Sequence, residues 1–356
     1  MKRLSGRLLA VAGTIFAAAL VLAGALPAAE DNAYTVHPLV SDGGVPAPTT
    51  DGHLINAWGL TAGPTTPWWV ANNGTDTSTL YRGDGTPVSL VVGVAGAPTG
   101  AVSNIGGANF VVRNGAAAAA SRFLFDTESG TILGWNPAVS PNAVVAVDRS
   151  SVGAMYKGLA VARTTGGDFL FATDFHNGRV DVFNGSFGLV STPDAFTDPG
   201  LPDGYAPFGI QAIGSRVFVT YAKQDEDAED EVAGQSLGFV DVYDTAGNLL
   251  ARVAQRGQLD APWGLALAPT SFGRFGGDLL VGNFGDGQIN VYKELPNGRF
   301  EHRGELRSPA GKSISIDGLW ALEFGNGSAA GPTGTLFFTA GPEDESHGLF
   351  GSITAD

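Results

Sequence analysis

An all-β ring of six four-stranded blades, a β-propeller closed by its own N-terminal strand, is the fold this sequence predicts, and three observations predict it. The 356 residues include 52 Gly and 20 Pro with only 15% charged residues. Gly supplies positive φ and Pro fixes turn geometry, so this composition calls for many short strands joined by tight turns. A Gly followed by an apolar or small residue recurs as Gly59-Leu60, Gly100-Ala101, Gly158-Leu159, Gly209-Ile210, Gly264-Leu265 and Gly318-Leu319, at spacings of 41 to 58 residues. That period suits propeller blades carrying some long loops. The last repeat ends in "GLFGSITAD" without a fourth strand, while "AYTVHPLVSD", residues 33–42, alternates ahead of the first repeat without a partner. The two complete each other if the N-terminal strand joins blade six, which ties the ring shut and removes exposed sheet edges.

The remaining strands follow the same phrase. Each repeat Gly opens an inner strand, and a second run follows: "WWVAN" at 68–72, "FLFATD" at 169–174, "VFVTY" at 217–221, "LLVGN" at 279–283 and "LFFTAG" at 336–341. These aromatic and β-branched runs, bounded by Gly, Pro and Asp clusters, read as buried strands. Third strands are "STLYRGDG", "GRVDVFNG", "GFVDVYDTAG", "GQINVYKELPNG" and "HGLFGSIT", and turns then lead to weaker fourth strands such as "PVSLVVGV" and "NLLARVA". In the irregular second repeat, "RFLFDT" and "GTILGWN" form the middle pair and "NFVV" reads as an extended or extra inner strand. The large aromatics of the first repeat are expected to fill the wide outer space between neighbouring sheets, with Gly and Ala near the crowded axis.

Ahead of the repeats, Lys2, Arg3 and Arg7 precede an apolar stretch from Leu8 to Leu26 and then small residues, the layout of a secretory signal cleaved near 25–29. The organisation expected is a signal peptide over 1–29 and one propeller domain over 30–356, with no linker. Removing the leader removes three cations and no acid, taking the formal charge from −15 to −18. A chain this acidic is repelled by phosphate backbones, so nucleic acid is excluded as a partner class. There is no Cys, so stability comes from burial rather than disulfides. No second hydrophobic segment follows the leader, and a soluble monomer, secreted or periplasmic, is expected with no membrane insertion after cleavage.

The phrases "NAYTVHPLVSD", "LINAWGLTAGPTTPWWVANNGTDTSTLY", "YKGLAVA", "VTYAKQDEDAEDEVAG", "APWGLALAP", "GDLLVGNFGDGQINVY", "IDGLW" and "GLFGSI" resemble a family of exported bacterial proteins. That family is similar to the NHL-type six-bladed propellers; some members carry a C-terminal surface-sorting tail, and it has no established activity. The match spans the whole mature chain. This sequence has Ala57 where the pattern expects Pro, and it reaches Asp356 without the sorting tail, so the resemblance implies secretion rather than anchoring.

A propeller gathers the loops entering its inner strands, and those between second and third strands, around one mouth of its axis, where ligand sites concentrate. The residue before each repeat Gly is expected to line that mouth: Trp58, Thr99, Lys157, Phe208, Trp263 and Asp317. Three aromatics offer flat apolar faces, and Lys157 and Asp317 are expected to face each other across the axis, which suits a ligand-binding or scaffolding funnel. Related propellers of the gluconolactonase and paraoxonase style hold channel calcium for hydrolysis. The resemblance therefore keeps open a calcium-dependent hydrolase or lactonase using Asp317, Asp174 and Asn283. Hard cations need several oxygen ligands, and this ring supplies one carboxylate beside a repelling Lys.

Asn72, Asn73, Asp174, His176, Asn283 and Asp286 follow the second strands on the same face, where Asn and Asp commonly make turns through side chain to backbone hydrogen bonds. "KQDEDAEDE", residues 223–231, reads either as a cation-binding or cationic-partner loop or as a solvated acidic loop. It lacks the spacing of an EF-hand. "GPEDESHGLFG" places Glu343, Glu345 and His347 near the mouth, as a polar loop. "GQSLG" around Ser236 matches a nucleophile-elbow pattern without the strand-turn-helix it requires, and "GNGSAAG" misses dinucleotide-loop spacing. Five scattered His and no Cys leave no zinc or haem signature.

Overall fold

The computed structural model describes Met1 and residues 31–356, so the predicted signal segment lies, apart from Met1, outside the described residues. Residues 31–356 form six antiparallel sheets whose inner strands stand side by side about one axis. Blade one is Ala57–Thr61, Trp68–Asn72, Thr77–Tyr81 and Pro87–Gly93; blade three is Tyr156–Thr164, Gly167–Asp174, Arg179–Asn184 and Leu189–Val190. Blade four is Tyr205–Ile213, Arg216–Lys223, Phe239–Asp244 and Leu249–Gln255, and blade five is Pro262–Leu267, Leu279–Asn283, Ile289–Glu294 and Phe300–Glu305. The described residues contain no α-helix, only three short 3₁₀ turns.

Blade six contributes Leu319–Phe324, Leu336–Ala340 and Leu349–Ala355, and the N-terminal strand Tyr34–Ser41 completes it as predicted. That strand pairs antiparallel from Tyr34 opposite Ala355 to Ser41 opposite Leu349, and the short strand Thr49–Thr50 then adds parallel to its outer edge. Tyr34 fixes the closure from the side: its ring lies 4.9 Å from that of Phe272 in blade five, and its hydroxyl donates to the Phe272 carbonyl at 3.3 Å.

Blade two is Pro98–Ser103, Phe123–Thr127, Thr131–Trp135 and Val144–Asp148, so "RFLFDT" and "GTILGWN" are its middle strands. The segment "NFVV" does not extend the inner strand. Val111–Asn114 and Ala117–Ala120 form a separate two-stranded hairpin inserted between the first and second strands, with Val112 buried and Gly115 in the left-handed region at its turn. Val111–Asn114 is the strand of this hairpin that lies against the outer strands of blade two.

The two adjacent Trp of blade one show why strands in this fold are apolar on both faces. Successive side chains point to opposite faces of the sheet. Trp68 therefore packs on Phe337 of blade six at 5.1 Å, while Trp69 stacks on Phe123 of blade two at 4.1 Å. Nearer the axis the sheets approach so closely that backbone meets backbone. A Cβ on Gly209 would lie 2.1 Å from the Trp263 carbonyl oxygen, and one on Gly264 would lie 2.5 Å from that of Trp320. Threonines stitch other junctions: Thr173 Oγ1 donates to the Phe208 carbonyl at 2.7 Å, and Thr339 Oγ1 to that of Trp58, joining blade six to blade one.

Candidate functional site

Strand register fixes which residues stand at equivalent places around the axis. A β-bulge near the start of each inner strand follows a residue paired with the end of the second strand. These pairs are Ala57 with Asn72, Pro98 with Thr127, Tyr156 with Asp174, Pro207 with Tyr221, Pro262 with Asn283 and Leu319 with Ala340. The next residue in each blade makes the ring: Trp58, Thr99, Lys157, Phe208, Trp263 and, in blade six, Trp320. Asp317 is displaced from the place expected of it. Gly318, at φ +61, turns the chain ahead of the strand, and Ala321 takes the position that Gly holds in the other blades. Asp317 is exposed, and its Oδ2 accepts the Glu343 N–H at 2.9 Å rather than facing Lys157.

The ring does not form an open funnel of flat faces. Trp58 and Trp320 stack at 3.5 Å between centroids, Phe284 stacks on Trp320 at 4.2 Å, and Phe208 and Trp263 meet Trp58 edge-on at 6.5 and 6.2 Å. Trp58, Phe208 and Trp320 are buried. Inward side chains at the axis have chiefly one another to pack against, and aromatic edges and faces complement each other, so the five close the channel as a plug. Asn56 Oδ1 accepts the Trp320 indole N–H at 3.2 Å, and the Lys157 carbonyl accepts that of Trp263 at 2.8 Å. Thr99 is a structural tie. Its hydroxyl donates to Asp126 at 2.9 Å and lies 2.8 Å from the Tyr156 carbonyl, and burial pushes Asp126 up to about 7.

Above the plug stands Lys157. Its ammonium lies 5.3 Å over the Trp58 ring, 2.5 Å from Glu128 and 3.1 Å from Asp230, and its side chain is 1% exposed. Burial opposes its charge, but Glu128, Glu231 and Asp230 more than offset this and hold its pKa above the usual lysine value. The loops between second and third strands of blades one, two, four and six converge here. Asn73 donates to Glu128 at 2.8 Å, and Asn56, on the loop entering blade one, donates to Glu345 of blade six at 2.5 Å. Burial, reinforced by Glu345 and Asp230 and opposed by Lys157, pushes Glu231 up to about 8, and burial likewise raises Glu345.

The acidic run 223–231 divides its labour. Asp230, itself largely exposed, reaches Lys157, and Asp225 caps its own loop by accepting the Glu229 N–H at 2.9 Å. His176 Nδ1 donates to the Ala228 carbonyl at 3.2 Å and Gln224 to the Phe175 carbonyl at 2.7 Å, which lays the loop across blade three. Glu226, Asp227 and Glu229 remain exposed.

Asp174, Asn283 and Asp317 are not brought together. Asp174, buried and raised by that burial, binds Asn177 at 2.9 Å and Arg179 at 3.1 Å, while Asn283 donates to the Gln258 carbonyl at 2.8 Å and to Asp286 at 3.0 Å. Each holds its own loop, as the turn-making role of Asn and Asp anticipates. Among the described residues no group of three or more His, Asp or Glu is placed to hold a metal ion. Trp320, Phe284, Asn56 and Glu128 escaped sequence reasoning. Trp320 carried a signal, because "LWAL" at 319–322 parallels "AWGL" at 57–60 once Gly318 is set aside. Glu128 carried none, since only folding brings blade two's loop to Lys157.

No protein-family model matches the chain. Uncharacterized protein R648 of Acanthamoeba polyphaga mimivirus is 32% identical over 341 residues, covering 91% of this chain and 80% of the relative. Uncharacterized protein L690 of the same virus is 31% identical over 345 residues, covering 91% and 86%. These relatives are viral, not the bacterial proteins the phrases suggested. Among solved structures, a protein of unknown function from Bacteroides thetaiotaomicron aligns with TM-score 0.57 at 12% identity over 90% of this chain and 76% of its own. A glucose dehydrogenase aligns at 0.53, with 12% identity over 90% and 100%, and a streptogramin B lyase at 0.50, with 10% identity over 91% and 97%. These likenesses support the propeller fold alone. The extent of the sequence identity shows that this chain belongs to the same family as mimivirus proteins R648 and L690.

Proposed function

We propose that the chain is an exported, monomeric propeller that captures a cationic ligand or partner on the acidic face above Lys157. The carrying observation is the anchoring of the 223–231 loop by Asp230 on Lys157, which presents Glu226, Asp227 and Glu229 to solvent. Clustered charge of one sign raises the local concentration of an oppositely charged partner and speeds its encounter. The leader with Lys2, Arg3 and Arg7 supports export, and a closed ring whose free edges are confined to the outer strands of the blades supports a single copy. The calcium-dependent hydrolase reading draws no comparable support, because Asp174, Asn283 and Asp317 are each engaged in hydrogen bonds within their own blades.

Titration with a fluorescent hexalysine peptide tests this. Binding is expected to weaken with salt and to fall at least tenfold when Glu226→Gln, Asp227→Asn and Glu229→Gln are combined. A control replacing Asp84, Asp148 and Glu301, exposed acids on other turns and outer strands, is expected to change little. Equal losses in both triple variants would reduce the effect to net charge and overturn the site.

A further inference from the structure

The axis is closed at the mouth but open at its other end. Below the plug and the repeat Gly positions come two further rings: Leu60, Ala101, Leu159, Ile210, Leu265 and Leu322, then Thr61, Val102, Ala160, Gln211, Ala266 and Glu323. Inner strands run from the mouth toward the opposite face, so Glu323 and Gln211 lie near the far end, in blades six and four. Two cavities share Leu60, Ala101, Gln211 and Glu323 in their walls, a narrow one of about 20 Å³ beneath Trp263 and a wider one of about 190 Å³ reaching Ile105 at the rim. The wider volume corresponds to about six waters.

Among the described residues, Glu323 is the one charged side chain lining either cavity. Among the described residues no hydrogen bond or opposite charge offsets its desolvation, and burial alone pushes it up to about 8. At the rim, Arg163 donates to the Ile105 carbonyl at 3.2 Å but is already paired with Asp168 at 2.7 Å. A carboxyl without a partner is costly in a pit whose other walls are aliphatic side chains and the neutral Thr61, Ser103 and Gln211, and ligand pockets elsewhere likewise set a few convergent polar groups among apolar walls.

We propose that this axial pit binds a small primary ammonium ion bearing a short apolar chain, with Glu323 carboxylate and the Gln211 amide oxygen accepting its N–H donors and the ring of Leu, Ile and Ala covering the chain. A carboxylic acid, an alcohol or an anion lacks the charge that Glu323 is left without. The ammonium enters with its proton, and below about pH 8 the Glu323 carboxyl releases its own to solvent, so binding is coupled to the loss of one proton. This site lies at the opposite end of the axis from the acidic face and stands independently of the function proposed for that face.

Isothermal titration of the full mature chain with n-butylammonium chloride tests the proposal. Saturable binding is expected to tighten about tenfold per pH unit up to pH 8 and to level off above it. Heats in phosphate and Tris should reveal about one proton released at pH 7. Glu323→Gln, nearly isosteric, should abolish binding without lowering the thermal midpoint, and n-butanol should not bind. The Glu226/Asp227/Glu229 triple variant should bind n-butylammonium as the parent does, which separates failure of this site from failure of the mouth. As a measurement free of mutation, the titration of the Glu323 carboxyl followed by ¹³C resonance should move to lower pH in saturating n-butylammonium. Unchanged affinity in Glu323→Gln, equal binding of n-butanol, or a carboxyl titration indifferent to the amine would overturn it.

Discussion

The indole of Trp58 in the first blade stacks on that of Trp320 in the last, 3.5 Å between centroids and 20° from parallel. The contact joins residues far apart in the chain, beside the hydrogen bond that links Thr339 to the Trp58 carbonyl. It therefore reports on ring closure as well as on the plug.

Trp320→Ala is expected to lower stability by about 3–5 kcal/mol, the usual cost of truncating a buried Trp. Denaturant unfolding measures the loss, and near-UV circular dichroism should lose intensity from the coupled indoles. A cost below 1 kcal/mol would mean that the axis repacks freely.

Close approach of inner strands makes a paired prediction at two glycines. Gly209→Ala would set a Cβ 2.1 Å from the Trp263 carbonyl, so the blades must separate, at about 1–3 kcal/mol. Gly52 has nothing within 4 Å of the equivalent point, and Gly52→Ala should be neutral or slightly stabilising. Thermal midpoints of the two variants give the comparison directly.

Lys157 holds Glu128 and Asp230 over the Trp58 face. Lys157→Met should cost about 2 kcal/mol, below the roughly 3–5 typical of breaking a fully buried pair because Glu128 and Asp230 reach water. Glu128→Gln added to Lys157→Met should recover part of the loss. A double-mutant cycle measures the coupling, and strictly additive effects would contradict the pairing.

Deleting residues 30–41 from the mature chain removes the strand that covers Leu349–Ala355. The newly exposed edge should drive association, seen as dimers or larger species by light scattering, together with a lowered thermal midpoint. A monomer of unchanged stability would show that this strand does not close the ring.

Asp126, Glu231 and Glu323 titrate near 7, 8 and 8 in the folded protein, raised chiefly by burial from ordinary values of 3.8, 4.5 and 4.5. In that window the native state holds protons that the unfolded chain has released. The stability these groups contribute is present below about pH 4 and is lost as pH climbs to about 8. Calorimetric scans from pH 5 to 8.5 should show a falling midpoint, and Glu323→Gln should flatten that slope.

The blade count, the strand sequence and the closure by residues 33–42 were legible because each depends on local spacing: period-two alternation, turn residues, and a fourth strand missing at one end and spare at the other. Trp58, Lys157, Phe208 and Trp263 could be assigned to the ring for the same reason. Asp317 could not be told from Trp320 by spacing, because Gly318 serves a turn where other blades use Gly for close packing, and only the pairing of Leu319 with Ala340 sets the register. Whether the ring was open or filled depended on the sizes of side chains meeting from different blades. The acidic loop's attachment to Lys157 and the solitary carboxyl of Glu323 likewise arise from contacts between residues far apart in the chain. Sequence periodicity describes one blade at a time, whereas burial, charge pairing and cavity shape at the axis come from all six blades meeting there.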